Sequence, residues 1–287
     1  MKGLAGGRAL CFSVAMGNRA MKEFWTGDVG ARWVRMAPFL DAGFAQVTQM
    51  LVTRAEPLSG RSVLDVGCGA GALSRAVACQ AKHVTGIDIS ATMLDAARAQ
   101  APANATYLEA DAQTDRPPGA PFDAIVSQFG LMFFDDTVSA LANLRDACAP
   151  GARLTFATWA RAEDNPWFHI PRALAVRATG PLDSDPDAPG PMRMRDVPRV
   201  ERWLRDAGWR DVTGETRALD LIQPGPLDQV AFFATQVGGA SSVLAHHQAD
   251  KATRRAVTAE IAAAFAAYDR SDSVHVPATV NFFTAVA

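Results

Sequence analysis

The feature that most constrains the fold is an alternation of two hydrophobic periods between residues 62 and 159. Short apolar runs, typical of buried strands, alternate with segments in which apolar residues recur every three or four positions, as in helices that face a core. Such alternation predicts parallel βαβ units and therefore an α/β, doubly wound, Rossmann-like sheet, with its ligand beyond the carboxyl ends of the strands. The predicted strands are Ser62–Val66, His83–Ile89, Thr106–Ala110, Phe122–Gln128 and Arg153–Trp159.

The sequence on either side of this alternation is predicted to be largely helical. Residues 22–56 have apolar side chains at helical spacing, and Pro38 and Gly43 predict that this helix is split in two. After residue 195 the sequence predicts four more elements in chain order. They are a helix over Asp196–Ala207, a strand around Val212–Ile222, helices over Leu227–Tyr268 and a last strand over Val274–Val286. We expect the helical stretches at 160–195 and 225–270 to be additions to the sheet.

The chain is expected to form a single domain after a disordered leader at residues 1–17. The apolar run Ala9–Ala15 follows Lys2 and Arg8, as in a signal peptide, but no Ala-x-Ala cleavage site follows it. We therefore expect the ordered protein to begin near Met16 or Met21. The expected parts of the domain at 18–287 are an N-terminal helical lid at 18–56, a cofactor-binding core at 57–160, and acceptor-side helices with the last two strands at 161–287.

Composition disfavours several classes of protein. The chain has 28 Lys and Arg against 30 Asp and Glu, for a net charge of −2, so it lacks the basic excess typical of nucleic-acid binding. No apolar run approaches the ~20 residues that span a bilayer. The four cysteines show no CxxC or Cys/His ligand spacing, which predicts a reduced, cytoplasmic protein without a metal site. The oligomeric state stays open.

A glycine-rich turn follows the first predicted strand, in Val63-Leu-Asp-Val-Gly-Cys-Gly-Ala-Gly71. Gly67, Gly69 and Ala72 also satisfy the loosened dinucleotide-binding fingerprint. Asp65 favours a different ligand, because a carboxylate at this helix N-terminus would repel a pyrophosphate. It would instead suit the α-ammonium group of S-adenosylmethionine. The alternative is that Asp65 only stabilises the turn.

Two further acidic residues follow the next strands. Asp88, in Gly-Ile-Asp-Ile-Ser, can accept hydrogen bonds from both hydroxyls of a ribose, which NAD would also require. Asp111 and Ala112, in Glu-Ala-Asp-Ala, can meet the adenine amino group and ring. Two apolar residues, Ile89 and Met93, suit the faces of adenine, although Met93 could equally belong to the helix core.

These segments resemble the successive motifs of class I S-adenosylmethionine-dependent methyltransferases. The similar segments are VLDVGCGAGALS, GIDIS, EADA, FDAIVSQFGLMFF and the Pro150-Gly151 turn before LTFATW, and the similarity is to the ubiquinone/menaquinone-biosynthesis group over about residues 18–160. The resemblance implies a seven-stranded sheet with an antiparallel last strand. It also implies the following cofactor contacts: Asp65, Gly67, Cys68 and Gly69 at the methionine end, Asp88 at the ribose, Asp111 and Ala112 at the adenine, and Ser127 and Gln128 beside the sulfonium.

Two tryptophans near the N-terminus, Trp25 and Trp33, resemble the lid that related enzymes fold over the cofactor. An aromatic face near a sulfonium gains cation–π attraction and excludes water. The alternative is that both tryptophans pack the N-terminal helix onto the sheet.

The acceptor side is predicted to be aromatic, because several aromatic residues fall at or after the ends of the fourth and fifth strands: Phe129, Phe133, Phe134, Trp159 and Trp167. His169 is the candidate general base of this region, with a structural role as the alternative. Arg193 and Arg195 belong to a basic run that indicates a solvated helix face or, as a minority alternative, a clamp for an anionic acceptor.

The sequence therefore predicts metal-independent methyl transfer from S-adenosylmethionine to a small-molecule acceptor by in-line displacement, leaving S-adenosylhomocysteine. Alignment of the reactants supplies most of what such a reaction needs. One alternative is a catalytically silent S-adenosylmethionine-binding regulatory protein. A nicotinamide-dependent oxidoreductase would share the fold and Asp88, but leaves Asp65 unexplained. The sequence does not distinguish O, N, S or C as the acceptor atom.

Overall fold

The computed structural model describes residues 18–287, so the predicted leader at 1–17 lies outside the described residues. Seven strands form one sheet: β1 (Ser62–Val66), β2 (His83–Asp88), β3 (Ala105–Glu109), β4 (Phe122–Gln128), β5 (Cys148–Trp159), β6 (Arg210–Pro224) and β7 (Ser273–Val286). Their spatial order is β3-β2-β1-β4-β5-β7-β6.

The sheet is parallel except for β7, which is antiparallel to both of its neighbours, β5 and β6. The predicted seven-stranded, mostly parallel fold is therefore confirmed, including its antiparallel last strand. The strand order reverses between β1 and β4, where Asp65 lies opposite Val126. This is the switch point at which doubly wound sheets place their ligands, beyond the strands' carboxyl ends.

Eleven α-helices surround the sheet within residues 18–287. In chain order they are α1 (Asn18–Thr26), α2 (Asp28–Gly43), α3 (Ala45–Ala55), α4 (Ala72–Ala78), α5 (Ala91–Arg98), α6 (Thr137–Asp146), α7 (Pro166–Thr179), α8 (Val197–Asp206), α9 (Leu227–Ala234), α10 (Gly239–His246) and α11 (Lys251–Phe265). Helix α8 begins where the sequence predicts, because the Asp196 carboxylate accepts a hydrogen bond from the backbone N–H of Arg199.

The N-terminal helical region is interrupted at one of the two predicted residues, since α2 ends at Gly43, but not at the other. Pro38 lies inside α2 and does not end it, whereas Gly27 separates α1 from α2 and Phe44 separates α2 from α3. Pro38 is on the exposed side of α2, while Ala37 and Leu40 are buried beside it. Packing of the buried side therefore outweighs the single hydrogen bond that a proline removes.

The C-terminal half extends the sheet into a long two-stranded ribbon. Strand β7 pairs with β5 only from Val280 to Val286, but with β6 from Ser273 to Val286. The helices between β6 and β7 pack largely on one another and on α7, as expected for helical additions. The core lies along the sheet itself, where Leu64, Ile125 and Phe283 are fully buried.

Candidate functional site

A cavity opens at the carboxyl ends of the first strands and is covered on one side by α1 and α2. It brings together most of the residues that the sequence analysis singles out. The predicted cofactor residues that line it are Trp25, Trp33, Asp65, Gly67, Cys68, Gly69, Asp88, Ile89, Met93, Asp111, Ala112 and Gln128. Their convergence follows from the parallel sheet, because the ends of neighbouring parallel strands meet at one edge.

The glycine-rich turn forms the floor of the cavity. Gly67 and Gly69 have φ angles of +65° and +53°, a backbone conformation that glycine adopts without steric cost. A Cβ at Gly67 would lie 2.8 Å from the Cα of Gly130, so the loops after β1 and β4 touch there. A Cβ at Gly69 would meet nothing within 4 Å. The backbone at Gly69 therefore borders open space into which a ligand fits.

Asp65 is a buried carboxylate with one unused oxygen. Its Oδ2 accepts a hydrogen bond of 2.5 Å from the hydroxyl of Ser74, while its Oδ1 is buried and has no hydrogen-bond partner. Burial raises the pKa of Asp65 to about 7, against the lowering effect of the Ser74 bond. An unpaired carboxylate oxygen at the edge of a cavity is a site for a cationic group, since leaving it unpaired is costly.

Asp88 holds the end of β2 in place. Its Oδ2 accepts a hydrogen bond from the backbone N–H of Gly69 and its Oδ1 from that of Ser90, each at 2.9 Å. Burial raises the pKa of Asp88, and these backbone bonds act in the opposite direction. Each oxygen of a carboxylate has a second lone pair, so the side chain can still accept hydrogen bonds from a ligand.

Asp111 connects the far end of the cavity to the N-terminal helices. Its Oδ1 accepts a hydrogen bond from the backbone N–H of Gln113, and its Oδ2 accepts one from the amide of Asn18 on α1. Beside this pair, Lys22 of α1 forms an ion pair of 2.5 Å with Glu109. Helix α1 is therefore attached to the residues that follow β3.

The two tryptophans of the lid contact each other at the cavity wall. Their ring centroids are 5.5 Å apart in an edge-to-face arrangement, and Trp25 makes a similar contact with Phe133 at 5.1 Å. The hydroxyl of Ser90 donates a hydrogen bond to the carbonyl of Trp25. A Cβ at Gly30 would lie 1.7 Å from that same carbonyl oxygen, so the close crossing of α1 and α2 requires a glycine there.

Ser127 and Gln128, at the end of β4, have different surroundings. Gln128 lines the cavity, and its Oε1 accepts a hydrogen bond of 2.8 Å from the hydroxyl of Thr48 on α3. Ser127 is fully buried, does not line the cavity, and donates its hydroxyl hydrogen to the carbonyl of Val66. The Ser127 side chain thus joins β4 to β1 beneath the cavity.

His169 does not lie where the sequence places it. It is an exposed residue of α7 and is not among the residues that line the cavity. Proximity in sequence to the end of β5 misleads here, because the helical phase turns His169 outward while Trp167 of the same helix is buried. The prediction that His169 serves as a general base receives no support from this geometry.

The hydrogen bonds of Arg193 and Arg195 also argue against a role in binding the acceptor. Arg193 donates hydrogen bonds to the hydroxyl of Thr137 and to the carbonyls of Asp135 and Asp187. Arg195 pairs with the carboxylate of Asp187 and donates to neighbouring carbonyls. Arg193 thus fastens the loop at 180–195 to Thr137 and Asp135, whereas Arg195 makes its bonds within the loop, and these contacts remove the basis for the anionic clamp.

One carboxylate that lines the cavity, that of Asp41 on α2, is not among the site residues predicted from the sequence. Asp41 forms an ion pair of 3.0 Å with Arg75, whose guanidinium also donates to the carbonyl of Ala70 in the glycine-rich turn. Burial raises the pKa of Asp41, and Arg75 acts in the opposite direction. The local sequence of α2 gives no signal for this position, because it depends on how α2 packs over the strand ends.

The cavity is acidic and aromatic. Asp41, Asp65, Asp88 and Asp111 line it, and no lysine, arginine or histidine lines it among the side chains that the structure describes, which are those of residue 18 and residues 21–287. The remaining aromatic lining residues are Phe44, Phe129, Phe133 and Phe134. This set of side chains favours a cationic ligand with an extended apolar part and disfavours a pyrophosphate.

Within residues 18–287, no three His, Cys, Asp or Glu side chains are grouped so that they could hold a metal ion. None of the helices described above is long and apolar enough to cross a membrane.

The sequence similarity to known proteins lies in the segment that contains the glycine-rich turn and the ends of β1 to β4. The sequence profile of the methyltransferase domain family matches residues 63–151. An uncharacterized methyltransferase of Mycobacterium tuberculosis is 40% identical over 104 residues, 36% of this chain and 53% of that protein. A ubiquinone biosynthesis O-methyltransferase of Xylella fastidiosa is 37% identical over 117 residues, 37% of this chain and 45% of that protein.

A solved structure extends the similarity in fold to nearly the whole chain. Magnesium protoporphyrin IX methyltransferase from Synechocystis, with S-adenosylhomocysteine bound, has a TM-score of 0.54 at 15% identity, covering 94% of this chain and 99% of the other. Residues 63–151 thus match the methyltransferase domain family, in agreement with the motifs identified in the sequence. The chain spans about half the length of the curated relatives that it matches.

Proposed function

We propose that this protein binds S-adenosylmethionine in the cavity at the carboxyl ends of β1 to β4 and methylates a small-molecule acceptor without a metal ion. The observation that carries the proposal is the unpaired Oδ1 of Asp65, a buried carboxylate oxygen at the cavity wall. The α-ammonium of the cofactor is the cationic group that would satisfy it.

The other cofactor contacts follow from the same edge of the sheet. The open space at Gly69 receives the methionine part, and the carboxylate of Asp88 accepts the ribose hydroxyls with its free lone pairs. Asp111 and Ala112 border the adenine end, with Met93 and Ile89 as apolar neighbours. When bound, the cofactor supplies a methyl group that its sulfonium already activates for in-line displacement.

The protein's own contribution is to position the acceptor and exclude water. Trp25 and Trp33 form one wall, and Ser90 and Asp111 fasten α1, the helix that carries Trp25. Holding an acceptor in line can supply several kcal/mol through proximity alone. Aromatic walls favour the dispersed positive charge of the transition state over water.

The nicotinamide-dependent alternative fits this site poorly. A dinucleotide would place its pyrophosphate at the glycine-rich turn, next to the carboxylates of Asp65 and Asp88. None of the described lining residues is a lysine or arginine that could offset the repulsion. A silent regulatory protein would keep the cofactor contacts and show no turnover, so only an activity measurement separates it from an enzyme.

Calorimetry tests the cofactor. Titration with S-adenosylmethionine and S-adenosylhomocysteine should give saturable binding, and titration with NADH none. Asp65→Asn is the matched variant, since it keeps the shape of the side chain and removes the charge. Binding of NADH without a response to S-adenosylhomocysteine would falsify the proposal.

Turnover is tested by incubating the protein with a metabolite extract and cofactor labelled in its methyl group. Label should enter small molecules in the presence of EDTA as fast as in its absence. Loss of transfer with EDTA, restored by a divalent cation, would contradict metal independence. Binding of cofactor without label transfer from any extract would favour the regulatory alternative.

A further inference from the structure

The loop after β4 contributes to the cavity wall an aromatic residue, Phe129, whose ring stacks on that of Trp159. The rings of Phe129 and Trp159 are 4.2 Å apart between centroids and only 2° from parallel. Phe129 lines the cavity, whereas Trp159 is buried behind it, only 4% exposed, and does not line the cavity. One face of the Phe129 ring is therefore covered by Trp159, and no other ring of the described residues stacks on the opposite face.

Phe129 is held in an unfavourable backbone conformation to reach this position. Its φ is +60°, in the left-handed region that bulky side chains rarely adopt. Its N–H donates to the carbonyl of Ala157, and Phe44 contacts its ring edge to face at 5.3 Å. Backbone strain of this kind persists where the surroundings enforce it, and such sites are often functional.

The partner ring is fixed as firmly. Trp159 contacts Phe168 edge to face at 4.9 Å and Phe44 at 5.7 Å, in addition to its stack with Phe129. Because Trp159 cannot shift without disturbing these rings, Phe129 presents a rigid flat surface to the cavity. A flat, rigid aromatic surface gains most from another flat ring placed parallel to it.

The residue before Phe129 adds a polar group of defined orientation. The hydroxyl of Thr48 donates to Oε1 of Gln128 at 2.8 Å, so the amide nitrogen of Gln128 is left as a hydrogen-bond donor at the cavity wall. An oxygen on a planar ligand is the complementary group.

We infer that the methyl acceptor is a planar aromatic molecule, which stacks on Phe129 as the third ring and presents a hydroxyl or carbonyl oxygen to Gln128. This inference rests on the proposed function for its role as acceptor. Trp159 and Thr48 act as positioning residues, through Phe129 and Gln128 respectively.

The test compares planar aromatic probes with saturated ones that have the same ring skeleton and hydroxyl group but are not planar. Dissociation constants of 2-naphthol and 2-decalol, and of phenol and cyclohexanol, are measured by ligand-detected NMR with and without S-adenosylhomocysteine. Each aromatic probe should bind at least tenfold more tightly than its saturated counterpart. Equal affinities within every pair would overturn the inference, whether or not the cofactor product binds.

Variants then test whether Phe129 and Trp159 cause the tighter binding of the aromatic probes. Phe129→Gly suits the left-handed backbone and removes the ring, so it should abolish the aromatic preference while calorimetric binding of S-adenosylhomocysteine stays within twofold. Trp159→Leu should reduce the preference and Trp159→Phe should restore it. A preference that survives in Phe129→Gly would overturn the stacking surface. Phe232→Ser removes an exposed ring outside the cavity and controls for adsorption of the probes.

The oxygen contact is tested separately. Gln128→Leu should remove the tighter binding of 2-naphthol over naphthalene, and Thr48→Val should reduce it, with recovery in Thr48→Ser. An unchanged ratio in Gln128→Leu would show that the amide does not meet the ligand's oxygen. Failure of the cofactor to bind, with the aromatic preference intact, would contradict the proposed function and leave the stacking site standing.

Discussion

The hydroxyl of Ser74 donates a 2.5 Å hydrogen bond to Oδ2 of Asp65, and the second oxygen of that carboxylate, Oδ1, is buried without a partner. The side chain is thus half satisfied inside the protein. Its charge is costly until a cation arrives, and this makes Asp65 both a weak point of the ligand-free protein and its strongest contact with a cationic ligand.

Asp65→Asn should make the ligand-free protein more stable at pH 8. The pKa of Asp65 is raised from 3.8 to about 7, so its favourable contribution to folding is complete below pH 3.8 and is lost as the pH rises towards 7. The variant should exceed the wild type by about 1–3 kcal/mol in free energy of unfolding at pH 8, with a smaller difference at pH 5. Urea unfolding at both pH values measures this. A difference that is constant with pH would exclude titration of Asp65 as the cause.

Cofactor affinity should depend on pH through the same group. Only the ionised carboxylate attracts an ammonium, so the dissociation constant of S-adenosylmethionine should rise about tenfold from pH 8 to pH 6 for a pKa near 7. In Asp65→Asn the affinity should be weak and flat across this range. Calorimetry at several pH values checks both statements, and a parallel pH dependence in the variant would assign the effect to another residue.

Gly30→Ala should loosen the lid without unfolding the sheet. Its Cβ would be placed 1.7 Å from the carbonyl oxygen of Trp25, which forces α1 away from α2, at a cost of about 1–3 kcal/mol as for other overpacked contacts. Hydrogen exchange over residues 18–26 should accelerate and S-adenosylhomocysteine should bind more weakly. Gly27→Ala is the milder comparison, since its Cβ would lie 3.1 Å from the carbonyl of Glu23. Unchanged exchange in Gly30→Ala would mean that α1 is not held by this crossing.

Arg193→Met should destabilise the loop at 180–195 and leave cofactor binding unchanged. The guanidinium joins that loop to Thr137 and Asp135, and its loss should cost about 1–3 kcal/mol and speed proteolysis within the loop. Arg202→Met, on the exposed side of α8, is the control and should have little effect. If Arg193→Met left stability intact and selectively weakened an anionic acceptor, the clamp dismissed above would have to be restored.

The strand ends were predictable because parallel pairing leaves little freedom. Once β1, β2 and β4 are recognised, Asp65, Asp88 and Gln128 must approach one edge of the sheet, whatever the helices do. The sequence accordingly predicts that these residues lie together, and the predicted bounds of β1 and β4 agree with those in the structure.

The helices were less predictable, because a residue's direction on a helix depends on packing that distant segments decide. His169 is separated from the buried Trp167 by two positions and faces solvent. Asp41 enters the cavity only because α2 crosses the edge of the sheet, and no local pattern encodes that crossing. The covering of Asp111 by Asn18 of α1 depends on the same long-range packing.

The contact between Gly67 and Gly130 joins the loops on either side of the strand-order reversal. A side chain on Gly67 would meet the Gly130 backbone at 2.8 Å, and one on Gly130 would meet the carbonyl oxygen of Val66 at 2.6 Å. Neither position can compensate for a change in the other, since both already have the smallest residue. The close approach of the loops after β1 and β4 therefore depends on two glycines that lie 63 positions apart in the chain. A saturation mutagenesis screen should find these two codons among the least tolerant, although neither supplies any side-chain chemistry.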